Sequence, residues 1–199
     1  MTERQIQIIQ KSIYIIAHKG IQGLTIKNLS KEIGISEAAI YRHFKSKTDI
    51  LLAILKNFEE TSAFMHYSLQ KINDDTFKKI SLMFSNIIDI FSKEPSHISV
   101  IFSEEIFKSE KILREKIAQI VFEKEKAVES LLLEGQHKGE VRKDIDNKIL
   151  ALIVMGTFRF MVKQMDLHDE HENLQEENKK LINGLKKILE NQADFQHKS

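Results

Sequence analysis

Only one proline and seven glycines interrupt the 199 residues. A protein of many short strands needs turn residues at each reversal of the chain, so this sequence is confined to few reversals and long elements. Apolar residues recur along most of it at steps of three and four, the spacing of one helical face. The fold class that follows is all-α. At 42% hydrophobic and 30% charged the chain is globular rather than disordered. No apolar run approaches the roughly 20 residues of a membrane span, and the longest, from Ile149 to Val162, contains Arg159. The absence of cysteine excludes disulfides, thiolate nucleophiles and Cys-ligated metal sites. The polar start, Met1-Thr-Glu-Arg-Gln, has no basic segment followed by an apolar run, so the expected location is the cytoplasm.

Capping patterns and breakers divide the chain into nine expected helices. Thr2-x-x-Gln5 is a capping box ahead of Ile6, Ile9, Ile13 and Ile16, and this first helix runs into Gly20 and Gly23. Thr25 caps a short helix through Ile33, Gly34 ends it, and Ser36 caps the next, from Glu37 to about Phe44. Ser46-Lys-Thr-Asp49 opens a fourth. The remainder reads as helices over 47–72, 75–92, 97–107, 109–138, 145–166 and 173–191, with Asn73-Asp-Asp75, Pro95 and Gly139 among the breaks and frayed residues from Ala193 to Ser199.

Charge is unevenly spread over this plan. Residues 1–56 hold nine Lys/Arg against four Asp/Glu, a net of +5, while residues 57–199 hold twenty-one against twenty-five, a net of −4. A basic head on a mildly acidic body points to a polyanion met by the head alone. Within that head, Gly34-Ile35-Ser36 joins two short helices: glycine takes the left-handed conformation that ends the first, Ile35 plugs the core, and Ser36 starts the second at a steep angle. Small residues then lie at the tip of the second helix, while Ile40 and Phe44 point inward. Such a tip fits a DNA major groove.

The run from Gly23-Leu-Thr-Ile through Gly34-Ile-Ser and Tyr41-Arg-His-Phe to Lys47 resembles the DNA-binding signature of the TetR family of bacterial transcriptional regulators. The resemblance implies a nine-helix, two-domain fold: a helix-turn-helix DNA-binding domain over 1–47 and a helical effector-binding and dimerisation domain over 48–199. It implies that Thr25, Lys27, Tyr41, His43 and Lys47 touch DNA phosphates and that Ser36, Glu37, Ala38 and Ala39 lie nearest base edges, hydroxyls and ammoniums being groups that phosphate oxygens accept from. Glu37 also suits the positive end of its own helix. One short helix reads only three or four bases, so two copies on a palindromic operator are expected, with half-sites about 34–36 Å apart.

The body offers a dimer face and a possible pocket. Between Asp146 and Met165, residues including Ile149, Leu152, Ile153, Phe158 and Met161 cover too much of the helix for one wet side, so this helix needs partners on two sides. In the last helix Leu174, Asn178, Leu181, Leu185 and Ile188 alternate steps of four and three, a bundle seam with Asn178 as a polar register element. Phenylalanines and methionines of the middle helices, Phe64 and Met65 among them, read first as core. The resemblance adds a cavity for a small apolar or amphipathic effector that releases the operator, with Phe84, Ile88, Phe102, Phe122 and Phe158 as its expected walls. Arg159 suits an effector anion or, more simply, a salt bridge to a glutamate of another helix.

Two rivals differ in class. One keeps the DNA head and gives the body to a protein partner. The other is a helical metalloenzyme built on Glu94-Pro-Ser-His97 and Glu134-Gly-Gln-His137, weakened because Pro95 and Gly135 sit inside motifs that must project from intact helices. Asp166-x-His168-x-x-His171 has metal-ligand types but lies in a charged loop. No phosphate-cradling glycine loop or nucleophile turn occurs. The expected protein is therefore a dimeric, cofactor-free DNA-binding regulator, most simply a repressor, and not an enzyme.

Overall fold

The computed structural model describes residues 1–70, 72, 74–108 and 110–191 and, for 62–70, the backbone alone. The side chains of Phe64 and Met65, Asn73 and the expected frayed segment Ala193 to Ser199 lie outside the described residues. Among those described, nine α-helices follow one another: α1 Glu3–Gly23, α2 Ile26–Ile33, α3 Glu37–Tyr41, α4 Lys47–Gln70, α5 Thr76–Lys93, α6 Ser96–Ile101, α7 Lys111–Lys138, α8 Asn147–Leu167 and α9 Leu174–Leu189. Single 3-10 turns at Glu104–Phe107 and His171–Asn173 complete them, and the β-type pairing described is one isolated bridge between Val141 and Glu190.

The first helix starts where the sequence specifies. Thr2 accepts from the Gln5 N–H while the Gln5 side chain accepts from the Thr2 N–H, a complete capping box. Several segments are shorter than expected, the third and sixth among them. The third helix ends at Tyr41, because the His43 N–H turns back to the Ile40 carbonyl at 2.9 Å in a tighter turn. The sixth stops at Ile101, and residues to Phe107 continue as a separate 3-10 turn.

The chain groups into two compact units. One comprises Met1–Ser62 with Glu94–Ile120, the other Ala63–Lys93 with Val121–Ser199. In the first, α1 packs on α2 and α6, and α2 on α3. Its core joins Ile8, Ile13, Leu24, Leu29, Ile40 and Ile54 to Val100, Ile106, Phe107, Leu113 and Ile120. Packing in this unit runs past residue 47, because α4, α6 and the start of α7 also supply apolar side chains to its core. An ion pair between Lys116 and Glu59 at 2.6 Å and a hydrogen bond from Thr48 to Glu110 at 2.5 Å join α7 or the residue before it to α4 in this unit.

In the second unit α9 packs on α5 and α8. Phe84 of α5 stacks on Phe158 of α8 with ring centroids 3.9 Å apart. Gly135 marks a close approach: a Cβ there would lie 2.5 Å from the Thr76 hydroxyl and 2.7 Å from a Val141 methyl, so only glycine lets α7 meet the start of α5. Arg142 donates from its backbone to the Leu189 carbonyl and from its guanidinium to Ile188, covering carbonyls that the end of α9 leaves without helical partners.

Candidate nucleic-acid interface

In the first unit the reader is assembled from two caps and a glycine. Thr25 accepts from the Asn28 N–H at 3.1 Å to start α2, and Ser36 accepts from the Ala39 N–H at 3.2 Å to start α3. Between them Gly34 takes φ +77°, the left-handed conformation a side chain resists, and the N–H groups of Gly34 and Ile35 both close on the Ser30 carbonyl. Leu29 and Ile40 are fully buried and Phe44 nearly so, which fixes the angle between the two helices from beneath.

What remains outside is small or polar. Ser36, Glu37 and Ala38 are exposed, and Ala39 is half-buried. Thr25, Lys27 and Tyr41 are exposed, Tyr41 by 50%, and His43 is half-buried. Eight of the nine candidate contacts thus retain surface. Sequence reasoning passed over Arg42 and Lys45, exposed cations beside Tyr41 and His43; their charge alone was the signal.

Lys47 is placed differently. Its ammonium donates to the Ile21 carbonyl at 2.7 Å, across 26 residues, and partial burial holds its pKa below the usual lysine value.

The other candidate sites fare unevenly in the second unit. Phe84, Ile88 and Phe158 are buried. Phe122 is 57% exposed, with the Lys126 ammonium 5.8 Å from its ring centroid, so it walls no enclosed space within this unit. Phe102 is half-buried and belongs to the first unit, and Arg159 is exposed on α8. The expected seam on α9 also needs correction. Leu174, Asn178 and Leu185 are buried within the chain itself, and the Asn178 amide donates to the Ser85 hydroxyl of α5 at 3.2 Å. The register element is therefore internal. Leu181 is half-buried and Ile188 is 56% exposed, so the second side of α9 keeps apolar surface. On α8, Ile153 and Met161 are half-buried, while Ile149, Leu152, Phe160 and Leu167 are 51%, 65%, 69% and 81% exposed, a row of large apolar groups that a solitary chain gains nothing by showing to water.

The motifs of the enzyme reading have other occupations. Glu134 accepts from Lys79 and Lys138, His97 is buried with its Nδ1 beside Glu94, and His171 sits between Asp166 and Asp169. Among the described residues no group of three or more His, Asp or Glu side chains is arranged to hold a metal ion. Nor is any helix described long and apolar enough to cross a membrane.

Two family models match consecutive parts of the chain. Residues 8–54 match the family model described as bacterial regulatory proteins, tetR family, and residues 58–188 match that of the YsiA-like protein C-terminal region. Among similar proteins, the fatty acid metabolism regulator protein of Bacillus subtilis (strain 168) is 24% identical over 173 residues, 86% of this chain and 88% of the relative. The nucleoid occlusion factor SlmA of Haemophilus influenzae (strain PittGG) is 26% identical over 162 residues, 80% of this chain and 74% of the relative. Among solved structures, the transcriptional regulator FadR from Bacillus subtilis in complex with stearoyl-CoA superposes with a TM-score of 0.77 at 22% identity, covering 90% of this chain and 96% of that one.

Proposed function

Because the chain belongs to the TetR family of bacterial regulatory proteins, we propose that it is a dimeric transcriptional repressor that leaves a palindromic operator when a long-chain acyl thioester binds its body. The observation that carries the reading is the capped α2–Gly34–α3 pair, whose buried side is apolar and whose tip carries exposed Ser36, Glu37 and Ala38. In the proposed complex α3 enters the major groove, where the Ala38 methyl meets a thymine methyl and Glu37 accepts from a cytosine amino group. Thr25, Lys27, Tyr41 and His43 hold phosphates and set the register. Arg42 and Lys45 add charge at the same edge.

Two copies meet, in this reading, through the outer sides of α8 and α9, where Ile149, Leu152, Phe160, Leu167 and Ile188 are left exposed. Ile153, Met161 and Leu181 line the margin of that surface. The acyl effector is taken from the relatives, a fatty acid metabolism regulator and a FadR holding stearoyl-CoA. The phenylalanine-rich body suits it chemically, because an acyl chain gains by leaving water for side chains that repack. An effector releases DNA only to the extent that it prefers the arrangement that does not bind; a tenfold loss needs about 1.4 kcal/mol of preference.

Titrating stearoyl-CoA into the protein bound to duplexes it has selected from a random pool tests the proposal. Release at micromolar acyl-CoA supports it. The likeness to a nucleoid occlusion factor favours a second reading, in which the body meets a protein partner and exposed Phe122 is part of the meeting surface. Under that reading DNA binding is insensitive to acyl-CoA.

A further inference from the structure

Lys47 is the first residue of α4, where a cation is ill-placed: a helix start carries the positive end of the helix dipole. Its ammonium has a compensating partner in the Ile21 carbonyl. Ile21 lies just beyond Gly20, whose φ of +67° and ψ of 174° break α1, so that Ile21–Gly23 form a last turn cut off from the helix before them. The backbone bond that closes this turn is long. The Leu24 N–H reaches the Ile21 carbonyl at 3.3 Å, a long bond, whereas the lysine reaches it at 2.7 Å with a full charge. No basic residue of α1 itself occupies its last turn, so Lys47 supplies from another helix the cation that a helix end favours.

The turn so held leads directly to Thr25. The Gly23 carbonyl accepts from the Thr25 N–H at 3.0 Å and from the Asn28 side chain at 2.9 Å, and the Thr25 hydroxyl accepts from the Asn28 N–H, leaving its own proton to donate. From this geometry we infer that Lys47 is a positioning residue of the DNA reader: by fastening the start of α4 to the Ile21–Gly23 turn it fixes Thr25 for a phosphate, and it is not itself one of the phosphate contacts. Partial burial of the ammonium, which holds its pKa down, fits a group committed to the protein. The inference rests on the reading of this unit as a DNA binder.

The two roles leave different traces in salt. Each lysine that neutralises a phosphate releases counterions and steepens the dependence of log K on log salt by about one, whereas a positioning contact changes affinity without changing the slope. Anisotropy titrations on a labelled random-sequence duplex, from about 0.05 to 0.2 M salt, compare Lys27→Ala, Lys47→Met and Lys47→Arg. Lys27→Ala is expected to flatten the slope by about one per chain. Lys47→Met is expected to weaken binding about fivefold at every salt concentration with the wild-type slope, and Lys47→Arg to restore affinity to within about twofold. Thr25→Val is expected to cost at least about threefold less in the Lys47→Met background than in the wild type, a coupling that a merely structural lysine would not show. Should the methionine variant not fold, Lys47→Gln serves the same comparison. A slope flattened as in Lys27→Ala, or additive losses at Thr25 and Lys47, would overturn the inference. Failure of the underlying reading has its own signature: the wild type itself would show no salt-dependent binding.

Discussion

The α2–α3 pair and the α8–α9 pair both show a face to solvent, and they are built in opposite ways. The first pair is eight and five residues long, each helix begun by a side-chain cap, with small or polar groups outward. The second is twenty-one and sixteen residues long, buried on one side and bearing Leu152, Phe160 and Ile188 on the other. Short capped helices with a small-residue tip suit a groove walled by phosphates. A long row of exposed apolar side chains is at rest only when covered by another such row. Under the proposed function, the difference separates a surface that reads from a surface that assembles.

That contrast breaks most visibly if the assembling face is charged. Leu152→Lys combined with Phe160→Lys is expected to raise the dimer dissociation constant at least about 100-fold, as loss of central apolar anchors does, while the stability of the single chain changes by about 0.5 kcal/mol or less. Sedimentation velocity across a concentration series reads the first quantity and urea unfolding the second. An unchanged dimer would move the interface elsewhere.

The reading face is expected to fail from beneath. Ile40 is fully buried under the tip, and Ile40→Ala should cost about 2–5 kcal/mol by urea unfolding, with DNA binding lost as the α2–α3 angle relaxes. In the body, Gly135→Ala should cost about 1–3 kcal/mol, because the new methyl group overlaps Thr76 and Val141.

The smallest expected effect is a charge pair. Hydrogen bonds from Lys138 and then Lys79 hold the Glu134 carboxyl below its ordinary pKa of 4.5. A depressed carboxylate stabilises fully above that ordinary value, and the contribution disappears as pH falls through the lower folded value. Glu134→Gln should therefore cost about 0.5–1 kcal/mol at neutral pH, the modest figure for a half-exposed pair, and nothing once the wild-type carboxyl is protonated. Unfolding measured at pH 7 and then at stepwise lower pH follows the loss of that difference.

The nine helices, their caps at Thr2, Thr25 and Ser36, and the turn at Gly34 were legible because capping and left-handed glycine are local, and the residues that satisfy them lie within three or four positions. The body was less legible for a reason of geometry. α9 has two apolar sides, and periodicity cannot say which one its own chain covers; Asn178 was read as facing a second subunit and in fact bonds to Ser85. Phe122 illustrates the same limit, since an aromatic at helical spacing is equally compatible with core and surface. The bond from Lys47 to Ile21 was not legible because its partner lies 26 residues earlier, beyond the reach of any local pattern.

Selection of bound duplexes from a random pool, at about 0.15 M salt with nonspecific competitor, tests the central claim most directly. Two copies joined through α8 and α9 and reading through α3 predict a palindromic consensus with half-sites about one helical turn, 34–36 Å, apart. A single unrepeated half-site, or no enrichment at all, would contradict the account.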